Sequence, residues 1–134
     1  MLRRDCKVLL VDDDEDTLTV LQHIFERKGF TRLTFAEDGM AALHKIENLP
    51  PDIVVCDWNM PKLSGLELLK TIRGNPGYAG IAFLMLTAEK QKEEVVTAIK
   101  EGVNDYLVKP FDESALMAKI DILIEGHTLG ILKG

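Results

Sequence analysis

Apolar residues fall into five short runs along the chain, and each run stops at polar residues before a stretch with apolar positions at helical spacing. Lys7-Val8-Leu9-Leu10-Val11 is nearly continuous in hydrophobicity and breaks at Asp12-Asp13-Asp14-Glu15-Asp16. That pattern predicts a strand buried on both faces running into a helix N-terminus, where carboxylates suit the positive end of the dipole. Leu18, Leu21 and Phe25, with Val20 and Ile24 beside them, predict the first helix, and Gly29 its stop. Arg32-Leu33-Thr34-Phe35-Ala36 is a weaker strand pattern; Glu37-Asp38-Gly39 turns into a helix carrying Ala42, Leu43, Ile46 and Leu49, ended by Pro50-Pro51. The third run, Ile53-Val54-Val55-Cys56, delivers Asp57 at its end and continues through Trp58-Asn59-Met60-Pro61. Ser64-Gly65-Leu66-Glu67 is a capping-box pattern that starts a helix reaching about Asn75. Ile81 to Leu86 is the fourth run; Thr87-Ala88-Glu89 follows, then a helix bearing Val95, Val96 and Ile99 that stops near Gly102. Tyr106-Leu107-Val108 is the fifth, ending in Lys109-Pro110-Phe111. A last helix, from about Glu113 to Glu125, presents Leu116, Ile120, Leu123 and Ile124, with Gly126 as its terminator. Strands alternating with helices predict an α/β fold: a mostly parallel sheet with helices on both faces, because right-handed crossovers lay each helix against the sheet.

Composition narrows the function classes. A chain of 134 residues with 46% hydrophobic residues is expected to form one globular domain, and residues 5–125 hold no repeat, low-complexity segment or linker. Residues 126–134 read as a tail or the start of a linker. A net charge of −6 argues against nucleic-acid or anionic-membrane binding by this domain, since both rely on clustered Lys and Arg. Cys6 and Cys56 lack a CxxC spacing and a nearby His, as expected of reduced thiols in the cytosol. No apolar run approaches the roughly 18 residues of a membrane span, and Met1-Leu2-Arg3-Arg4-Asp5 lacks a signal-peptide core. The expectation is a soluble cytoplasmic protein.

In a parallel sheet the carboxyl ends of all strands share one edge, where open α/β folds place their sites. Asp12, Asp13, Asp57, Thr87 and Lys109 therefore become neighbours although far apart in the chain. Unit charges about 4 Å apart repel by roughly 4 kcal/mol at an effective dielectric near 20, so the acids call for a cation. Lys109 offers one charge, and an all-oxygen site suits Mg²⁺. Carboxylates, a hydroxyl, an ammonium and a hard cation are the parts that stabilise a transferring phosphoryl group.

Val11-Asp12-Asp13, the Asp57-x-x-Met60-Pro61 turn, Gly65, Thr87-Ala88 and Lys109-Pro110 occur in order, and in this the chain resembles the CheY-like receiver domains of bacterial two-component response regulators. The likeness covers about residues 5–125. Asp57-Trp58-Asn59-Met60-Pro61, Ala36-Glu37-Asp38-Gly39 and Glu89 resemble the family's chemotaxis regulator more than an average receiver. The resemblance implies a flavodoxin-like, doubly wound, five-stranded parallel sheet of order 2-1-3-4-5. It implies that Asp57 accepts a phosphoryl group from a histidine kinase or phosphotransfer protein. Asp13, Asp57 and the backbone carbonyl of Asn59 would ligate Mg²⁺, with Asp12 acting mainly through a metal-bound water. Lys109 and Thr87 would bind phosphoryl oxygens, and Tyr106 would turn inward near Thr87, altering the surface made by the fourth helix, fifth strand and fifth helix. A downstream protein would read that surface, with a flagellar motor switch protein the partner favoured by the chemotaxis likeness. Asn59 and Glu89 would tune how fast water removes the phosphoryl group, and the Lys109-Pro110 bond is expected to be cis.

Plainer readings stand beside these. Asp14, Glu15 and Asp16 read as a solvated helix start, although a shift of one residue would make Asp14 the ligand in place of Asp13. Thr87 could be a helix cap and Tyr106 an ordinary half-buried aromatic. His23, His44 and His127 lack metal-ligand spacing; Cys56 is expected in the core and Trp58 partly exposed beside the site. A receiver cut from a longer regulator is an alternative to a free-standing one. An Mg²⁺ phosphohydrolase with an Asp nucleophile usually needs a second acid where Asn59 stands, and a flavodoxin-like cofactor module would want a glycine-rich loop at the strand ends.

Overall fold

The structure is a computed structural model that describes residues 1–60, 62–88 and 92–128, without the side chains of residues 127 and 128. Its strands are β1 (Lys7–Val11), β2 (Arg32–Ala36), β3 (Ile53–Asp57), β4 (Ala82–Ala88) and β5 (Asp105–Lys109). Alternating with them are α1 (Glu15–Arg27), α2 (Gly39–Asn48), α3 (Gly65–Arg73), α4 (Lys92–Lys100) and α5 (Glu113–Thr128). Two single 3-10 turns, Arg3–Asp5 and Pro76–Tyr78, complete the described elements. All strand pairs are parallel and the sheet order is β2-β1-β3-β4-β5, the flavodoxin-like order.

Strand position follows hydrophobicity. The most continuous apolar runs, β1, β3 and β4, lie inside the sheet, where both faces are covered. The weaker runs, β2 and β5, are the edges and keep partly exposed residues. Side-chain alternation then divides the core. Val8, Leu10, Ile53, Val55, Leu84 and Leu86 pack against α1 and α5, while Leu9, Val11, Val54, Cys56, Phe83 and Met85 pack against α2, α3 and α4. Each such side chain, taken from water into the interior, contributes about 1.5–3 kcal/mol before chain entropy is set against it.

Helix boundaries obey local chemistry. Asp14 caps α1, its side chain accepting from Asp16 N at 3.1 Å and from Thr17 Oγ1 at 2.8 Å, so the acidic run is a helix start beyond Asp13. The capping box at Ser64 and Glu67 is formed in both directions. Gly29 and Gly102 follow α1 and α4 with φ of 95° and 96°, a region that costs a residue with a Cβ.

Several expectations need correcting. Helix α5 runs through Gly126 to Thr128 rather than stopping there; Gly126 is buried, so packing along this helix outweighs the roughly 1 kcal/mol an interior glycine costs. Helix α3 ends at Arg73, short of Asn75, which instead caps the following 3-10 turn. Strand β4 extends through Thr87 and Ala88. Val20, Val96 and Ile99 sit at helical spacing but stay exposed, at 57%, 52% and 57%, so α4 is only lightly anchored by its apolar residues. Residues 129–134, at the end of the expected tail, lie outside the described residues, as does Pro61.

Candidate functional site

The carboxyl ends of β1, β3, β4 and β5 converge on one group of polar side chains. Asp12 directly follows β1, Asp57 ends β3, Thr87 lies near the end of β4 and Lys109 ends β5. Oxygen atoms of Asp12, Asp13 and Asp57 all lie within 4.8 Å of one another. Lys109 Nζ sits between two of these acids, 3.3 Å from Asp57 Oδ1 and 3.4 Å from Asp12 Oδ2. The set assembles by sheet register, since Val11 pairs with Cys56, Asp57 with Leu86 and Ala88 with Lys109.

Burial grades the acids. Asp12 is buried, its Oδ1 accepting from Asp14 N at 2.9 Å, whereas Asp57 is half-buried and Asp13 exposed. Desolvation pushes the Asp12 and Asp57 carboxyls above the usual carboxylate range, outweighing the attraction of Lys109 and, for Asp12, the bond from Asp14 N. For Lys109 burial works the other way and opposes the charge, but Asp57 and Asp12 together overcome it and raise its pKa. Among the described residues Lys109 thus pairs with two of the three clustered acids. An all-oxygen donor set, partly desolvated and held near an open mouth at Asp13, fits a hard divalent cation.

Thr87 is almost fully buried inside β4, one residue past the partner of Asp57. Tyr106 is half-buried on edge strand β5; it packs against the α2-α3-α4 side of the core, with Lys119 Nζ 5.7 Å from its ring centroid. Asn59 is exposed just beyond Asp57, and the Lys109-Pro110 bond is cis. Glu89, expected to act with Asn59, lies outside the described residues. Trp58 departs from expectation: at 4% exposure it is a core residue, held by backbone bonds from its N–H to Leu86 O and from Gly65 N to its carbonyl. Cys56 is buried as expected, and burial raises its thiol well above the ordinary value, while Cys6 is pushed up to about 12. Neither is a nucleophile near neutrality.

Glycines set how closely the surrounding loops approach. A Cβ on Gly65 would lie 2.9 Å from Asp57 O and from Trp58 Cε3, and one on Gly39 would lie 2.1 Å from Leu63 O. Gly65 was legible as part of the motif, but the role of Gly39 in letting the β2–α2 loop touch the β3–α3 loop was not. The same two loops are joined by Lys62 Nζ and Asp38 Oδ2 at 3.4 Å, with Lys62 at φ 65°. The sequence marks Gly39 only as part of a turn after β2 and of the Ala36-Glu37-Asp38-Gly39 likeness, neither of which points to a contact with Leu63.

Comparisons with known proteins agree with this geometry. The family model described as response regulator receiver domain matches residues 8–121. Chemotaxis protein CheY-3 of Vibrio cholerae is 37% identical over 125 residues, which is 93% of this chain and 96% of that protein. Chemotaxis protein CheY1 of Helicobacter pylori is 36% identical over 119 residues, 88% of this chain and 96% of that one. The Francisella response regulator 1452 receiver domain superposes with a TM-score of 0.81 at 35% identity, covering 90% of this chain and 97% of that one.

Proposed function

Because the chain belongs to the response regulator receiver domain family, a family of signalling domains that work with a histidine kinase or phosphotransfer partner, we propose that Asp57 is its phosphoacceptor. The observation that carries this is the contact of Lys109 Nζ with both Asp57 and Asp12 inside a group of three carboxylates. A free Asp57 oxygen attacks the phosphorus of a phosphohistidine, the P–N bond breaks, and an acyl phosphate forms as the imidazole leaves. Lys109 is already within reach to follow the charge onto a phosphoryl oxygen. Asp12, Asp13, Asp57 and the backbone carbonyl of Asn59 would hold Mg²⁺, whose double charge supplies the neutralisation that one lysine cannot.

The phosphoryl group brings a charge of about −1.5 to −2 and three strong acceptors. Thr87 then donates to one of them, and Tyr106 moves inward on the same side of the sheet. Lightly anchored α4 responds, and the α4-β5-α5 surface is the output. The names of the curated relatives favour a chemotaxis pathway with a flagellar motor switch protein as reader, and a cytoplasmic location suits that role. Asn59 and Glu89 set the lifetime of the acyl phosphate, so exchanging both side chains changes the rate of spontaneous dephosphorylation.

Incubation with Mg²⁺ and acetyl phosphate, followed by intact-mass measurement, tests the central claim. The wild-type protein gains one phosphoryl group and Asp57→Asn gains none. Equal labelling of both proteins would sink the assignment.

A further inference from the structure

A second cleft lies beside the carboxylate group, between the N-terminal ends of α3 and α4. It has a volume of about 320 Å³ and is lined by Trp58, Asn59, Ser64 and Leu66 on one side and Glu93, Glu94 and Thr97 on the other. Glu94 Oε2 is fully buried and has no hydrogen-bond partner among the described residues. A buried carboxylate oxygen without a donor is costly, and nearly all such groups are satisfied by a partner or a bound molecule. Neither Glu93 nor Glu94 forms an ion pair among the described residues.

The remaining lining sharpens what that partner must be. The Thr97 hydroxyl donates to Glu93 O at 3.1 Å, so it offers the cleft an acceptor rather than a donor. Ser64 Oγ and Glu67 close the N-terminus of α3 against each other, which leaves fewer backbone donors to attract an anion. Two helix N-termini contribute roughly half a positive charge each, against two full negative charges from Glu93 and Glu94. The cleft is therefore negative and rich in acceptors, with Leu66 and the Trp58 indole as apolar wall. A donor-rich cation on a short apolar stem matches these surfaces.

We propose that this cleft binds an alkylguanidinium or alkylammonium group, with Glu94 as its principal counter-charge. The site is distinct from the carboxylates that would hold Mg²⁺, although Asn59 stands at the border of the two. Binding needs no phosphoryl chemistry, so its test fails or succeeds independently of the assignment of Asp57.

The test is an amide chemical-shift titration of the whole chain in saturating Mg²⁺ at fixed ionic strength, with butylguanidinium as probe and butylurea as its uncharged isostere. Saturable shifts at Leu66, Glu94 and Thr97 with butylguanidinium alone are expected, with affinity falling about tenfold or more in Glu94→Gln. Glu47→Gln, on the exposed face of α2, leaves the affinity unchanged. Equal binding of butylurea, equal affinity in Glu94→Gln, or no saturable shift in the wild-type protein overturns the proposal and leaves a cleft filled by water. Should Glu94→Gln fold poorly, the discrimination between the two probes decides by itself. A parallel titration with acetylarginine amide separates the sources: tighter binding than butylguanidinium assigns the site to a protein side chain, weaker binding to a free small cation.

Discussion

The two ends of the sheet are built on opposite principles. At the amino-terminal end polar groups are paired. Asp52 Oδ2 accepts from Lys7 N at 2.8 Å, and Asn104 Oδ1 accepts from Phe83 N at 2.7 Å. Arg73 reaches across from the end of α3 to donate to Gly102 O, Ile81 O and Asn104 Oδ1 at 2.7–2.9 Å. At the carboxyl end three acids crowd around one lysine, and desolvation raises the pKa of two of them. One end holds the fold together; the other stores electrostatic tension that a metal ion and a phosphoryl group can relieve. The unfavourable arrangement at one end is offset by the paired one at the other.

Substitutions should therefore divide cleanly between the two ends. The largest stability loss is expected from Arg73→Met, which removes three bonds, two of them to the backbone carbonyls of Gly102 and Ile81; about 3–4 kcal/mol should be lost in urea denaturation. Phosphoryl uptake per folded molecule should stay near wild type, and a loss of uptake would mean the two ends are coupled. Gly39→Ala, with its Cβ driven against Leu63 O, should cost about 1–3 kcal/mol by the same measurement and slow uptake as well, because the loop it displaces borders the site.

Asp12→Asn has the opposite sign. Without Mg²⁺ it should stabilise the protein by about 1–2 kcal/mol, since a desolvated charge beside like charges is removed, while Mg²⁺ affinity drops. An unchanged midpoint would show that Lys109 already balances the acids. The pH dependence follows from the same shifts. The Asp12 and Asp57 pKa values are raised above 3.8, so folding favours their protonated forms. Their contribution is fully present below 3.8 and is lost as pH rises through the raised values. The difference in stability between the Asp12→Asn/Asp57→Asn double variant and wild type should then widen from acid toward neutral pH without Mg²⁺, and a constant difference would break the assignment. The smallest effect belongs to Val96→Ser on the exposed face of α4: within about 0.5 kcal/mol in denaturation, so that any loss of partner binding reports on the output surface itself.

Much of this arrangement is legible in the amino-acid order. The five strands and five helices followed from periodicity and breakers, and Asp12, Asp13, Asp57, Thr87 and Lys109 could be gathered because parallel strands share a carboxyl edge. Trp58 is more buried than its position predicts, because a residue just past a strand is ordinarily solvated. Its burial depends on Gly65 bringing α3 within contact of its indole, a distance that no local pattern encodes. Arg73 and Asn104 carry no signal in the sequence, since their partners are each other, 31 positions apart, and backbone carbonyls and amides, which every residue carries. Gly126 read as a stop because local propensity favours one, and buried packing along α5 overrode it.

By itself the sequence determined the element order, the parallel sheet and the edge on which the acids meet. These depend on properties that repeat along the chain, hydrophobic period and chain connectivity. Only the tertiary structure decided how strongly those acids are desolvated, how close Lys109 stands to two of them, and that a second cleft opens beside them with a Glu94 oxygen unpartnered among the described residues. Such features depend on distances between segments remote in sequence, and electrostatic energy varies too steeply with distance and burial to be read from order alone.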